Sequence, residues 1–126
     1  MPLVRIAVLE GKPAAHRAAI GDAVHRAMVE TLNVPAKDRF QIIGECQAGD
    51  LVYDPSYLDI PRTDGIVMVQ ITLNAGRTVE MKKAFFAKAA EYVHAAAGVR
   101  PEDLLVSLVE VTKENWSFGN GIAQYA

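Results

Sequence analysis

Apolar and polar positions follow two periods along this chain, one typical of strands and one typical of helices. Residues Leu3–Leu9 (LVRIAVL) are rich in β-branched and apolar side chains, which predicts a strand. From Pro13 onward, apolar residues recur at intervals of three and four, and Pro35 stops the pattern. These signals predict a helix that starts at a proline and ends before the next one. The apolar stretch 40–44 (FQIIG) predicts a second strand.

The same order of elements begins again in the second half of the chain. Residues 65–73 (GIVMVQITL) predict a third strand. Thr78 is a suitable N-cap for the helix that follows, and Gly98 can end that helix in the left-handed conformation. Residues 104–111 (LLVSLVEV) predict a fourth strand.

The two halves align without a gap when they are shifted by 65 residues. Gly11 then matches Gly76, and Asp38 matches Asp103. We interpret this as a duplicated β-α-β unit in which the helix makes each strand pair parallel. The predicted fold is α/β (α+β): a four-stranded mixed sheet with two helices on one face. It forms a single domain over 1–126, with repeat units at about 2–46 and 66–111 and a tail at 112–126.

Two helices can cover only one face of this sheet. The third strand is apolar at nearly every position, as strands buried on both faces are. We therefore expect copies of the chain to cover the second face, which makes the protein a homo-oligomer. Connection 47–64 is expected to have little regular structure and to pack on a neighbour or on the sheet edge. The tail is expected to form short turns or a hairpin.

Composition narrows the class of protein. The chain has 126 residues, of which 51% are hydrophobic and 22% charged, with a formal charge of −2. Such a chain can bury a core, and the absence of a basic block argues against nucleic-acid binding. No apolar run is long enough to span a membrane, and one cysteine allows no internal disulfide. A soluble cytoplasmic protein is expected. The histidines lack metal-ligand spacing, so neither a metal nor a cofactor is predicted.

Pro2 has unusual chemical potential. Proline after Met1 permits removal of the methionine, which would leave a free secondary amine at the start of the first strand. An α-amino group has a pKa of about 7.7–8.0, so it can act as base or acid near neutrality. A secondary amine can also form an iminium with a carbonyl. The structural alternative is that Pro2 merely begins a strand.

Four segments of the chain, in the same order, resemble the tautomerase superfamily and specifically its malonate semialdehyde decarboxylase branch. They are Pro2-Leu3, the stretch VPAKDRFQI at 34–42, Gly76-Arg77-Thr78, and WSFG at 116–119. The likeness covers essentially the whole chain. The stretches at 34–42 and 116–119 are its most specific parts.

The resemblance implies roles for five residues and an assembly. Pro2 would be the catalytic amine, protonated in decarboxylases and neutral in tautomerases. Arg77 would hold the substrate carboxylate, and Asp38 would assist Pro2. Trp116 and Phe118 would form an aromatic wall of the pocket. The family assembles as trimers, which agrees with the uncovered sheet face. The role implied for Arg77 makes a small carboxylate the expected substrate.

One departure from the decarboxylase pattern leaves the substrate open. That pattern has two cationic residues around the turn, whereas Ala75 occupies the earlier position here. Three hypotheses follow: decarboxylation of a small 3-oxo acid such as malonate semialdehyde, keto–enol tautomerisation of 2-oxo acids such as phenylpyruvate, or a non-catalytic trimeric binding module. Without the resemblance, Asp38 would be assigned to capping a turn, and Trp116 and Phe118 to the core.

Overall fold

Two parallel strand pairs, each built around one helix, join along a central antiparallel pair to form a single sheet. The computed structural model describes residues 2–126. The sheet has the order β2-β1-β3-β4. Its strands are β1 (Leu3–Leu9), β2 (Gln41–Cys46), β3 (Val67–Asn74) and β4 (Leu104–Val111), and the helices are α1 (Ala14–Thr31) and α2 (Val79–Ala97).

The topology confirms the predicted mixed sheet with two helices. β1 pairs in parallel with β2, and β3 pairs in parallel with β4. The two units meet where β1 runs antiparallel to β3. Both helices pack against each other on the same face of the sheet, as expected when parallel crossovers have the usual right-handed sense.

Local signals in the sequence set most of the element boundaries. The hydroxyl of Thr78 accepts a hydrogen bond from the Met81 backbone N–H at 3.2 Å, which confirms the predicted N-cap. Gly98 follows α2 with φ of 69°, the predicted left-handed end. β4 has the predicted bounds. β2 and β3 are each shifted toward the C-terminus by one or two residues, so β3 includes Asn74.

Backbone geometry recurs 65 residues apart. Gly11 has φ of 118° and Gly76 has φ of 122°, each in the turn between a strand and its helix. Side chains with a Cβ rarely adopt this conformation, so the turn requires glycine in both units.

The core fills the space between the sheet and the helices. In β1 and β3, buried positions alternate with half-buried or exposed ones, and the buried ones face α1 and α2. Phe85 of α2 is fully buried in this layer, whereas its neighbour Phe86 points outward and is 40% exposed. The largest fully buried side chains are Phe85, Ile20, Met28, Leu32, Ile66, Ile71 and Leu73.

The second face of the sheet is apolar and partly exposed in the single chain. Ile42 is 49% exposed and Leu105 is 42% exposed, and both border a shallow cavity of about 460 Å³ on this face. In connection 47–64, Tyr57 and Leu58 are also exposed. Within residues 2–126, neither helix is long and apolar enough to cross a membrane.

Replacing Phe85 by alanine tests the core assignment against a neighbouring control. Phe85→Ala should lower the free energy of unfolding by about 3–5 kcal/mol, because it leaves a cavity in the buried layer. Phe86→Ala removes the same side chain from the exposed side of the same helix, so its effect should stay below about 1 kcal/mol. Urea unfolding of both variants measures the difference, and equal effects would contradict the packing described here.

Candidate active site

Pro2 lies at the end of the sheet where β1 begins. Its side chain is buried. Leu3, the next residue, pairs with Thr72 near the end of β3, because the two strands are antiparallel. On the other side, the Val4 backbone N–H donates to the Phe40 carbonyl oxygen at 3.0 Å, just before β2. The predicted removal of Met1 concerns a residue outside 2–126.

Asp38 lies in the segment that leads into β2 at this same end of the sheet. It is only 7% exposed. Two contacts hold the segment against α1. A ring nitrogen of His25 lies 2.8 Å from the Ala36 carbonyl oxygen, and Arg39 forms an ion pair with Asp22 at 2.6 Å. Asp38 therefore stands in a segment that is tied to α1 on both sides.

Arg77 is half-buried and is held by backbone oxygens. Its Nε donates to the Leu32 carbonyl at 2.8 Å, and its Nη1 donates to the Asn74 carbonyl at 3.1 Å. Burial lowers the pKa of the Arg77 guanidinium from its usual value, and the negative charges of Glu110 and Asp38 act in the opposite direction. Asp38 is thus close enough to Arg77 for their charges to interact.

Trp116 and Phe118 stack in the tail after β4. Their ring centroids are 5.3 Å apart and their planes differ by 12°. The edge of Tyr125 packs against Phe118, with a centroid distance of 5.7 Å. The indole Nε1 of Trp116 donates to the side-chain oxygen of Asn74 at 2.8 Å. This bond ties the aromatic pair to the end of β3, next to Arg77.

An ion pair borders Arg77 on the β4 side. Lys82 Nζ lies 2.7 Å from a carboxylate oxygen of Glu110. The hydrogen bond from Lys82 is the main cause that lowers the pKa of Glu110 below its usual value. Lys82 thereby compensates the Glu110 charge beside Arg77.

The structure brings the five predicted site positions to one end of the sheet from four separate parts of the chain. β1 begins there with Pro2, β2 is entered there after Asp38, and β3 ends there just before Arg77. Trp116 joins them through its bond to Asn74, and Phe118 stacks on Trp116. Once Met1 is removed as the sequence predicts, an amine, a guanidinium and an aromatic surface in one place can bind a small carboxylate and polarise its carbonyl.

Sequence reasoning missed Asn74 and Tyr125. Asn74 follows the predicted third strand and precedes Ala75-Gly76, a sequence typical of a turn. Its position three residues before Arg77 was the available signal in the sequence, and the structure makes it the last residue of β3. Tyr125 lies in a tail with no periodic pattern, and nothing in the sequence distinguished it.

The opposite end of the sheet has a cavity of about 530 Å³. Its lining includes Lys12, His16 and Asp103. Burial is the main cause that lowers the pKa of His16, and the charges of Lys12 and Arg17 add to it. Asp103 accepts hydrogen bonds from the Thr63 backbone N–H at 2.7 Å and from its hydroxyl at 2.6 Å. These bonds give that carboxylate a structural role, since they attach connection 47–64 to the sheet.

Comparisons with known proteins find matches that together cover nearly the whole chain. Two profiles of the tautomerase enzyme family match, one at residues 38–119 and the other at residues 2–59. A protein of Bacillus subtilis (strain 168) named Probable tautomerase YusQ is 39% identical over 124 residues, which is 98% of both chains.

Solved structures of two proteins are also similar to this chain over nearly its full length. The FG41 malonate semialdehyde decarboxylase, solved in a form inhibited by 3-bromopropiolate, is 38% identical with a TM-score of 0.91, covering 98% of this chain and 93% of its own. A fused 4-OT solved as a symmetric trimer is 26% identical with a TM-score of 0.79, covering 98% and 97%.

Proposed function

The chain belongs to the tautomerase superfamily, and from that premise we propose that it is an amino-terminal-proline enzyme that acts on small oxo-carboxylates. Its best candidate reaction is the decarboxylation of a 3-oxo acid of the malonate semialdehyde type. The proposal assigns the catalytic roles to Pro2, Asp38 and Arg77, and substrate binding to Trp116, Phe118 and Arg77. It requires the removal of Met1, because an acylated proline nitrogen has no basic lone pair.

The observation that carries this proposal is that buried Pro2 and half-buried Arg77 belong to the same end of the sheet. An amine at the rim of an apolar core is shielded from bulk water, which strengthens its interaction with a substrate dipole. Arg77 is the cation held beside it. The 38% identity to a malonate semialdehyde decarboxylase, over nearly the full length of both chains, supports the choice of reaction.

In the proposed reaction, Arg77 binds the substrate carboxylate and protonated Pro2 donates a hydrogen bond to the aldehyde oxygen. The bond between the carboxylate carbon and the adjacent methylene carbon breaks, and carbon dioxide leaves. The electron pair passes into the carbonyl group to give an enolate, whose negative oxygen the Pro2 ammonium stabilises. A proton then adds to the carbon and yields acetaldehyde. Asp38 favours the charged form of Pro2, since a nearby carboxylate raises an amine pKa.

Keto–enol tautomerisation of a 2-oxo acid is the second candidate. Two observations favour it: the relative at 39% identity is named a tautomerase, and Ala75 supplies no second cation to fix the carboxylate. In this reaction neutral Pro2 would move a proton between carbon and oxygen while Arg77 holds the carboxylate.

We also propose that the chain forms a trimer through the apolar face of its sheet. Ile42, Leu105 and Val109 are between 37% and 49% exposed on that face. A neighbour at 26% identity was solved as a symmetric trimer. Burying such a face against other copies removes apolar surface from water. Sedimentation equilibrium should give three times the monomer mass.

A substrate panel tests the proposed reaction on protein whose intact mass shows that Met1 is absent. Carbon dioxide release from malonate semialdehyde is the expected result. Conversion of phenylenolpyruvate to its keto form without such release would instead assign the tautomerase reaction. If protein that lacks Met1 is inactive toward both substrates, the enzymatic proposal is contradicted.

Replacing Pro2 tests the amine directly. Pro2→Ala should lower kcat at least about 100-fold, because general acid–base catalysis by a positioned group contributes about 100- to 10,000-fold. The smaller side chain still permits methionine removal, and the oligomer should remain intact by sedimentation. Pro13→Ala, at the exposed start of α1, is the matched control and should keep full activity. Unchanged turnover in Pro2→Ala would remove Pro2 from the catalytic role.

Replacing Arg77 tests the carboxylate contact. Arg77→Ala should raise KM for carboxylate substrates about 10- to 100-fold, which is the range expected for a lost charged hydrogen bond. Because Arg77 also bonds to the Leu32 carbonyl, KM is measured well below the melting temperature of the variant. Arg26→Ala, which removes an exposed arginine that lies over Tyr92, is the control. An unchanged KM would remove Arg77 from the site.

A further inference from the structure

Asn74 connects the two sides of the candidate site. Its backbone carbonyl accepts a hydrogen bond from Arg77 Nη1 at 3.1 Å. Its side-chain oxygen accepts one from the Trp116 indole at 2.8 Å. The residue is half-buried at the end of β3, so one asparagine contacts both the guanidinium and the aromatic wall.

The bond to Trp116 fixes the orientation of the Asn74 amide. An indole N–H can only donate a hydrogen bond, so the atom facing it must be the amide oxygen rather than the nitrogen. The Nδ2 group, with two N–H donors, therefore points away from Trp116. Within residues 2–126, no protein acceptor is bonded to Nδ2.

The guanidinium of Arg77 is restrained in a similar way. Nε is bonded to Leu32 and Nη1 to Asn74, which leaves Nη2 without a bonded protein acceptor in the described chain. Two donor groups thus remain three residues apart, the cationic Nη2 of Arg77 and the neutral Nδ2 of Asn74. A carboxylate has two oxygens and can accept from both.

We propose that Asn74 is a substrate-binding residue that donates from Nδ2 to the carboxylate held by Arg77, and that Trp116 positions it. This inference rests on the proposed function and deepens it. With Ala75 in place of a second cation, a neutral donor supplies the second carboxylate contact. The site therefore suits a substrate with one carboxylate at Arg77 and an uncharged carbonyl at the Pro2 amine.

The single tryptophan of the chain makes a binding experiment possible without turnover. Trp116 fluorescence is titrated with 3-hydroxypropanoate, an unreactive analogue that has one carboxylate and one neutral oxygen. The parent protein should bind it with saturable quenching. Asn74→Asp retains an acceptor for Trp116 but replaces the donor with a negative charge. We expect it to raise Kd roughly 10- to 100-fold, as expected when a donor to a charged acceptor is lost.

Two further variants separate substrate binding from support of Trp116. Asn115→Asp places the same charge at an exposed position next to Trp116 and should leave Kd within twofold of the parent. Asn74→Ala removes the side-chain bond to Trp116 together with the proposed bond to the carboxylate. It should also weaken binding about tenfold and lower kcat, because the carboxylate loses its second contact. The new carboxylate also repels the anion at a distance, so the titration is repeated at high ionic strength, which screens that repulsion. A residue that only supports Trp116 would then give Asn74→Asp the affinity of the parent.

The outcomes distinguish this inference from the proposed function. If the parent binds 3-hydroxypropanoate, Arg77→Ala does not, and Asn74→Asp binds as the parent does, the role of Asn74 is wrong and the proposed function stands. If the parent itself fails to bind, the carboxylate site is wrong and both proposals fall. Weaker binding by Asn74→Asp with normal binding by Asn115→Asp supports the inference.

Discussion

The antiparallel pairing of β1 with β3 is the constraint on which the candidate site depends. Each β-α-β unit alone would form only a parallel strand pair with a helix. Because β1 runs opposite to β3, the first residues of the chain lie beside the end of the third strand. Pro2 and the turn that carries Arg77 come together for this reason, although 75 residues separate them in sequence. Main-chain hydrogen bonds of the sheet, rather than side-chain preferences, hold this relation.

The pseudo-symmetry of the fold creates a second, equivalent end of the sheet, and comparing the two ends explains their difference. Lys12 occupies the position equivalent to Arg77, and Asp103 the position equivalent to Asp38. At that second end Thr63, in the connection between the units, donates twice to Asp103. The same backbone geometry thus provides a structural attachment at one end and places Pro2 and Arg77 at the other.

The periodicity of apolar residues and the residues that begin and end helices predicted most of the fold. Thr78 and Gly98 act through contacts within a few residues, so their roles follow from local rules. The bounds of β2 were less predictable, because pairing with β1 extends the strand beyond its apolar residues to Cys46. For the site, the chemistry and position of Pro2 made it a candidate, and the family resemblance favoured catalysis over a simple strand start. The roles of Arg77 and Asp38 came only from the family resemblance.

Side-chain contacts between distant segments of the chain could not be predicted from the sequence, and Arg77 illustrates the reason. Its bond to the Leu32 carbonyl uses a group that α1 leaves unsatisfied at its C-terminal end, 45 residues earlier. A flexible arginine at a turn would lose side-chain entropy on binding a carboxylate, which would weaken the interaction. Two backbone acceptors already restrict this side chain, so that entropy is lost on folding instead. The end of α1 therefore holds Arg77 without contributing a side chain, and under the proposed function this preorganisation would strengthen the contact of a single cation with the carboxylate.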